Sequence, residues 1–111
     1  YYCIVIEQDR DIVGYSIVSI AAAEAHILNL CVDVTMQGQG YGSLLLDDVI
    51  KYAHRQKVQR MFLEVRPSNA IAIRLYEQAG FNRLGTRPNY YRSSAGREDA
   101  LVLALQLSDS L

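Results

Sequence analysis

Long apolar runs are missing from this sequence of 111 residues. A helix needs about twenty consecutive apolar residues to cross a membrane, and no stretch of the chain comes near that length. The chain also opens without the basic residues and the short apolar segment that mark a signal peptide. Neither a membrane nor a secreted destination has support, so the cytoplasm is the expected location.

A charge excess of either sign is missing as well. Lysine and arginine together number 11 and aspartate and glutamate 12, which leaves a formal net charge of -1 at pH 7. The basic residues are scattered along the chain, whereas proteins that bind nucleic acid normally gather them in a patch or run. We therefore expect no nucleic-acid partner.

Cysteine is scarce, with two residues in the chain. Cys3 and Cys31 both fall inside strand-like apolar runs, and neither has metal-ligand spacing to the other or to His26 and His54. Disulfide frameworks and zinc sites show regular spacings of cysteine and histidine. The sequence predicts neither kind of site, and reduced thiols suit a cytoplasmic protein.

What the sequence does have is apolar material for one modest core, since 50% of its residues are hydrophobic and 21% are charged. Such a chain predicts a single domain over residues 1–111. Apolar periodicity predicts six strands and two helices. The strands are expected at 3–7, 12–20, 26–34, 60–65, 81–87 and 99–107, and the helices at about 42–56 and 68–79.

These elements predict an α/β fold. The third strand, the first helix and the fourth strand form a crossover unit, so these two strands should be parallel, while hairpins make the rest of the sheet antiparallel. Ser68 is the expected N-cap of the second helix, and Gly80 is the left-handed residue expected to end it.

A glycine-rich turn lies between the third strand and the first helix, with the sequence Gln37-Gly38-Gln39-Gly40-Tyr41-Gly42. The first N–H groups of a helix have no helical partners, and the helix dipole adds about half a positive charge there. Glycine lets an anion approach because it has no Cβ and adopts positive φ at little cost. The turn therefore predicts a phosphate site, although similar turns also occur without a ligand.

Two other phosphate-binding motifs do not fit this turn. A P-loop needs Gly-Lys-Ser/Thr, and here Ser43 follows Gly42 directly. A dinucleotide-binding motif needs an acidic residue about twenty positions further on, at the end of a second strand. Glu64 lies near that distance, but the residues after it do not continue a dinucleotide-binding domain.

A second motif follows at 62–81, with the sequence FLEVRPSNAIAIRLYEQAGF. Together with the turn at 37–42 it closely resembles the GNAT superfamily of N-acetyltransferases. In that family Q/R-x-x-G-x-G/A holds the pyrophosphate of acetyl-CoA, and a later strand, Asn and helix complete the cleft. The segments 89–91 and 96–100 resemble the ribosomal-protein N-alpha-acetyltransferases of the RimI type, so the resemblance covers nearly the whole chain.

The resemblance implies a GNAT fold, a mixed and mostly antiparallel sheet flanked by helices whose parallel strands splay apart to admit acetyl-CoA, with no metal. It implies that backbone groups of the third strand bind pantetheine, with an N–H near Val32 directed at the thioester oxygen. The implied cofactor-binding residues are Leu30, Cys31, Val32, Gln37, Gly38, Gln39, Gly40, Tyr41, Gly42, Ser43 and Asn69. Leu30 and Val32 also suit the core. Asn69 is either a pantetheine ligand, which the motif favours, or a helix N-cap.

Glu64 and Tyr76 are the catalytic residues that the resemblance implies. Alternation places Glu64 on the face opposite Leu63 and Val65, at the carboxyl end of its strand, where a carboxylate suits a general base. Tyr76 lies on the helix stripe that faces the sheet, and its hydroxyl would protonate or hydrogen-bond the leaving thiolate. The alternatives are an exposed strand end for Glu64 and an aromatic core position for Tyr76.

Tyr90 and Tyr91 lie between the last two predicted strands. Residues at this place line the acceptor groove in the RimI-type enzymes, so the resemblance implies that both tyrosines bind the substrate; hairpin packing is the alternative. Direct transfer needs no acyl-enzyme, so Cys31 is not expected to be a nucleophile, nor His26 an extra base.

The expected function is therefore acetyl transfer from acetyl-CoA to a protein or peptide N-terminal α-amine, with a ribosomal protein as one acceptor that the resemblance suggests. One alternative is acetylation of a small amine, such as a polyamine or an antibiotic, which a clustered acidic pocket would favour. The other is a non-catalytic acyl-CoA-binding domain, against which Glu64 and Tyr76 argue.

Three features depart from the family pattern. The strand and two helices that GNAT domains normally carry ahead of the first hairpin are absent from this chain, which we interpret as a cut domain, because its first strand would otherwise present an unpaired apolar edge. Gly38 stands where RimI-like sequences usually have a basic residue and Gln39 is also neutral, so the loop has no formal charge. Val34 stands where the family usually has proline.

Overall fold

The computed structural model describes residues 1–93 and 96–107, and within them the chain forms six strands and two helices. A 3₁₀ turn, Val34–Met36, precedes the glycine-rich segment. The order of strands and helices is the predicted one. The elements are β1 (Tyr2–Gln8), β2 (Asp11–Ala21), β3 (Glu24–Val32), α1 (Tyr41–Arg55), β4 (Arg60–Val65), α2 (Ala70–Gln78), β5 (Asn82–Ser93) and β6 (Gly96–Gln106).

The described strands form one sheet in the order β1-β2-β3-β4-β6-β5. β3 and β4 are parallel, as the crossover through α1 requires, and the other neighbours are antiparallel. The parallel register ends where Ile27 lies opposite Leu63, although β3 continues to Val32 and β4 to Val65. The two strands therefore part over their last residues, as the GNAT resemblance implied.

Both helices pack on the same face of the sheet. Alternation in β4 turns Met61, Leu63 and Val65 to that face, where all three are buried. The apolar stripes of the two helices join them in one core cluster, because residues three and four apart lie on one side of a helix. The helical members of this cluster are Leu46, Val49, Ala53, Ile73 and Tyr76. The opposite face carries Phe62 and Glu64.

A pair of stacked tyrosines fastens the edge strand β1 to α1. The rings of Tyr2 and Tyr52 lie with centroids 3.6 Å apart and planes 7° from parallel. The Tyr2 hydroxyl donates a hydrogen bond of 2.8 Å to Asp48 Oδ2, and this bond raises the pKa of Tyr2. The contact holds the start of the sheet against the helix whose N-terminus forms part of the site.

β3 ends at Val32, two residues before the predicted boundary. Asp33 ends the strand because its side chain caps the 3₁₀ turn, accepting hydrogen bonds from the backbone N (2.9 Å) and Oγ1 (2.8 Å) of Thr35. These bonds lower the pKa of Asp33. The prediction that Val34 continues the strand was therefore wrong.

Tyr90 and Tyr91 lie within β5 and not between the last two strands, so that part of the prediction was wrong. Pro88 does not end the strand, because β5 is at the edge of the sheet, where a missing N–H is tolerated. The pairing with β6 is irregular between Arg87 and Tyr91, which accommodates the proline. The backbone of Tyr91 pairs with Glu98, and its side chain lies outside the described part of the structure.

Candidate active site

A groove of about 520 Å³ opens where β3 and β4 part. One wall is the end of β3, and the glycine-rich segment, the start of α1 and the first two turns of α2 form the rest. Ten of the residues predicted to bind the cofactor line it: Leu30, Cys31, Val32, Gln37, Gly38, Gly40, Tyr41, Gly42, Ser43 and Asn69. Gln39 is the predicted residue that the described lining does not include. None of the described residues of the lining carries a formal charge.

The glycine-rich turn leaves its backbone open to a ligand. Gly38 and Gly40 have φ values of 82° and 83°, in the left-handed region that favours glycine. Gly40 is the N-cap of α1, and no side chain caps this helix end. A Cβ built at either glycine meets no atom within 4 Å, so the space above the turn is free for phosphate oxygens. The turn fits an anionic group held by backbone amides.

Two polar contacts brace this turn from its flanks. Gln37 Nε2 donates to the backbone oxygen of Val32 at 3.2 Å, which folds the loop back on the end of β3. The Tyr41 hydroxyl donates to Gln8 Oε1 at 3.1 Å, which ties the start of α1 to the end of β1. Gln37 and Tyr41 therefore shape the loop and also line the groove.

Asn69 is the N-cap of α2, and the prediction of Ser68 as the cap was wrong. Asn69 Oδ1 accepts a hydrogen bond from the backbone N of Ala72 at 3.2 Å. The backbone N of Ser68 instead donates to Glu98 Oε1 at 3.0 Å. Asn69 also lines the groove, so its side chain both caps the helix and borders the predicted pantetheine path.

Glu98 fixes the turn that leads into α2. Its carboxylate accepts the Ser68 bond and lies 3.5 Å from Arg66 Nη1. The hydrogen bond from Ser68, followed by the charge of Arg66, holds the pKa of Glu98 below its ordinary value. A residue of β6 thereby positions the segment that presents Asn69 to the groove.

Tyr76 is buried on α2 and lines the groove, as its position on the predicted stripe required. Its ring meets the Phe81 ring edge-on, with centroids 5.7 Å apart and planes at 63°. This packing holds the phenol on the helix-covered side of the sheet.

Glu64 lies on the other side of the sheet and does not line the groove. Its side chain is 26% exposed, and Oε1 accepts a hydrogen bond from Arg87 Nη1 at 3.3 Å. The Arg87 guanidinium also lies 4.8 Å from the centroid of the Tyr90 ring. The structure therefore joins the predicted base to one predicted acceptor residue through an arginine that sequence reasoning missed.

Four further groove residues were also missed: Met36, Ile71, Ala72 and Leu75. Ile71 is 79% exposed, although it is large and apolar. An apolar residue off the core stripe of α2, with Leu75 one turn later, was the sequence signal for a binding surface.

Cys31 and His26 have partners of their own. A hydrogen bond with Cys31 raises the pKa of the Tyr15 hydroxyl. His26 stacks on Phe62 with ring centroids 5.3 Å apart.

Among the described residues no group of three or more His, Cys, Asp or Glu side chains could hold a metal ion. Of the helices in the described ranges, none is long and apolar enough to span a membrane.

Comparison with known proteins gives consistent matches. Residues 1–81 match the family described as Acetyltransferase (GNAT) family. The chain is 42% identical over 101 residues to the [ribosomal protein bS18]-alanine N-acetyltransferase of Escherichia coli K12, covering 91% of this chain and 68% of that protein. The corresponding protein of Haemophilus influenzae is 41% identical over 101 residues, covering 90% and 68%.

Solved structures match the fold. The crystal structure of the ribosomal-protein-S18-alanine N-acetyltransferase from Escherichia coli has a TM-score of 0.93 and 39% identity, covering 100% of this chain and 72% of that one. A GNAT family acetyltransferase from Elizabethkingia anophelis, with acetyl-CoA bound, has a TM-score of 0.85 at 22% identity, covering 95% and 75%.

Proposed function

The chain belongs to the acetyltransferase (GNAT) family, and on that premise we propose that it transfers the acetyl group of acetyl-CoA directly to the α-amine at a protein or peptide N-terminus. It is an N-acetyltransferase with acetyl-CoA as co-substrate. The similarity to enzymes named for the alanine of ribosomal protein bS18 supports an N-terminal amine as the acceptor and a ribosomal protein as its source.

The parting of β3 and β4 is the observation that carries this proposal. Pairing stops at Ile27 and Leu63, so an opening forms between an uncharged groove on the helix side and Glu64 on the other side. A reaction between two substrates needs both reacting atoms at one point. An opening between strands allows each substrate to reach that point from its own side.

The groove residues suit an acyl-CoA. The amides at Gly38–Gly42 and the start of α1 would bind the pyrophosphate, because they offer donors and the positive end of a helix dipole. The end of β3 would pair with the pantetheine amides on the side where β4 no longer pairs with it. Asn69 and Ile71 border the same path, one with a polar group and one with apolar surface.

Backbone N–H groups near Val32 would stabilise the negative charge that develops on the thioester oxygen. Such preorganised donors act most strongly where water is excluded. β3 keeps these groups in place because Val32 pairs with Gly14, and Leu30 with Ser16, on the β2 side.

Glu64 would accept the proton of the attacking amine, directly or through a water. The demand on this base is small for an α-amine, whose ordinary pKa of about 7.7 to 8.0 leaves a sizeable neutral fraction near pH 7. A lysine side chain, with an ordinary pKa of about 10.4, costs about 3 to 4 kcal/mol more to deprotonate. One half-buried carboxylate is therefore better matched to an N-terminus than to a lysine.

Tyr76 would stabilise the departing thiolate from the helix side. A phenol has an ordinary pKa of about 10 and a thiol about 8.5, so complete proton transfer is about 2 kcal/mol uphill. A hydrogen bond from the hydroxyl to the sulfur is accordingly the role that we assign to it. Glu64 then takes the amine proton from one side of the sheet, and Tyr76 stabilises the departing thiolate from the other.

The test compares two peptides of the same composition. The first has a free N-terminus on a small residue, and the second has a blocked N-terminus and a free lysine. We expect acetylation of the first, with the acetyl group on the α-amine in mass spectra of the product, and little reaction of the second. Mainly lysine-acetylated product would contradict the proposal, as would transfer to spermidine with none to peptides.

A further inference from the structure

Arg87 lies between two residues of the proposed acceptor side. It belongs to β5 and pairs with Ala100 of β6, while Glu64 of β4 pairs with Val102 of the same strand. Its side chain therefore reaches across β6 to the carboxylate, where Nη1 lies 3.3 Å from Oε1. On the other side the guanidinium lies against the Tyr90 ring.

We propose that Arg87 is a positioning residue that orients the Glu64 carboxylate toward the acceptor amine and couples it to Tyr90. This inference rests on the proposed function, in which Glu64 is the base. Glutamate has three rotatable side-chain bonds, so a half-buried carboxylate at a strand end needs a partner to keep one orientation. Arg87 binds one oxygen of the carboxylate, Oε1. Because this contact fixes the plane of the carboxylate, it also sets the direction in which the second oxygen points.

Arginine suits this role better than lysine. Its planar guanidinium donates to a carboxylate and stacks on an aromatic ring at the same time, whereas a lysine ammonium is a point charge on a flexible chain. The Tyr90 ring thus limits the positions of Arg87, and Arg87 limits those of Glu64. A peptide N-terminus that contacts Tyr90 would meet a base already in place.

A second ion pair on the same strand provides a matched control. Arg83 Nε lies 3.2 Å from Glu77 Oε2, and the side chains of Arg83 and Arg87 are both 58% exposed. Glu77 lies on α2 and outside the described lining of the groove. Exposed ion pairs add little to stability. Loss of either arginine should therefore leave the fold intact, while loss of Arg87 alone should affect catalysis.

The experiment is a double-mutant cycle on the full chain, with kcat and KM measured for acetyl-CoA and an N-terminally free peptide. We expect Arg87→Gln to lower kcat roughly tenfold, as misplacement of a reacting group does, Arg87→Lys to recover part of that loss, and Arg83→Gln to leave kcat unchanged. In the Glu64→Gln background, Arg87→Gln should cause no further loss, because Arg87 acts through Glu64.

Three results would overturn the role of Arg87 even if Glu64 is the base. The first is a wild-type kcat in Arg87→Gln. The second is a double variant whose loss in kcat is the product of the two single losses. The third is a loss in kcat of the same size in Arg83→Gln. If Glu64→Gln lowers kcat and Arg87→Gln does not, only the role of Arg87 fails. Full turnover in Glu64→Gln would refute the assigned base itself, and the inference about Arg87 with it.

Discussion

The two sides of the opening between β3 and β4 differ in charge and in how they are built. The helix side is a groove whose described lining is uncharged, made of backbone, amide, hydroxyl and apolar groups. The other side carries an ion pair, Glu64 with Arg87, in contact with the Tyr90 ring. The side suited to a polyanion thus has no cation in its described lining, and the side suited to an ammonium group has a carboxylate.

This difference follows from what each substrate requires. A pyrophosphate is held by backbone N–H groups at a helix start, for which formal charge is not needed. An amine must lose a proton, which needs a titratable acceptor. Binding and proton transfer are thereby assigned to different sides, so substitutions should separate Kd for acetyl-CoA from kcat.

The largest effect is expected from closing the helix side. Gly40→Val adds a β-branched side chain at a φ of 83° and fills the space above the turn, so acetyl-CoA binding should weaken by about a hundredfold or more. Titration calorimetry measures the Kd for acetyl-CoA in both proteins. For the wild type we expect a Kd in the micromolar range, a binding free energy of about -8 kcal/mol. Gly96→Val, also at positive φ but in the β5–β6 hairpin, is the control. Equal losses in both variants would show that backbone strain, and not the site, is responsible.

Removal of the assigned base, Glu64, or of the hydroxyl assigned to the leaving thiolate, Tyr76, should lower turnover without affecting cofactor affinity. Glu64→Gln and Tyr76→Phe should each reduce kcat by roughly tenfold to a thousandfold, with Kd for acetyl-CoA nearly unchanged. Steady-state rates and calorimetry on the same samples provide both values. Wild-type turnover in both variants would refute the roles, and weakened binding in Glu64→Gln would show that the two sides are not separate.

A charge introduced beside the groove should strengthen binding modestly. Gln39→Lys places a cation next to the glycine turn and should tighten acetyl-CoA binding about two- to fivefold at low salt, with the gain lost near 0.5 M salt because of screening. Gln59→Lys is the control, because Gln59 directly precedes β4, at the end of the strand away from Glu64; it should have no such effect. A wild-type affinity that falls steeply with salt would contradict an uncharged site.

The smallest effect is expected on stability, from loss of the Glu98 carboxylate of β6, which accepts a hydrogen bond from Ser68 in the turn before α2. The folded-state pKa of Glu98 is depressed, so its contribution to stability is present above the ordinary value near 4.5 and is lost as the pH falls through the folded-state value. Glu98→Gln should therefore unfold at lower urea concentration than the wild type at pH 7, and this difference should shrink as the pH is lowered from 7 through the folded-state pKa of Glu98. A difference that stays constant over this range would exclude the ionised carboxylate as its cause.

Local patterns were enough for most of the fold. β4 was predicted with its observed ends, because alternation between Arg60 and Val65 is uninterrupted and Pro67 follows closely. The end of α2 was also close, since Gly80 adopts the expected positive φ of 106°. The glycine turn was identified for the same reason, as its conformation depends on residues next to it in sequence.

Contacts between distant residues could not be predicted in this way. Ser68 and Asn69 are both good N-caps, and the choice depends on Glu98, which is 30 residues away and takes the Ser68 amide. Arg87 meets Glu64 across an intervening strand, 23 residues apart in sequence. The resemblance to a family suggested Glu64, but only the sheet register reveals its partner.

The most direct test of the two-sided arrangement is a crystal structure of the Glu64→Gln variant with acetyl-CoA and a peptide that has a free N-terminus. We predict the pantetheine chain along Leu30 to Val32 on the helix side, the pyrophosphate at the turn from Gly38 to Gly42, and the peptide amine on the side of residue 64, within reach of it directly or through one water. Both substrates on the helix side, or an amine remote from residue 64, would contradict this account.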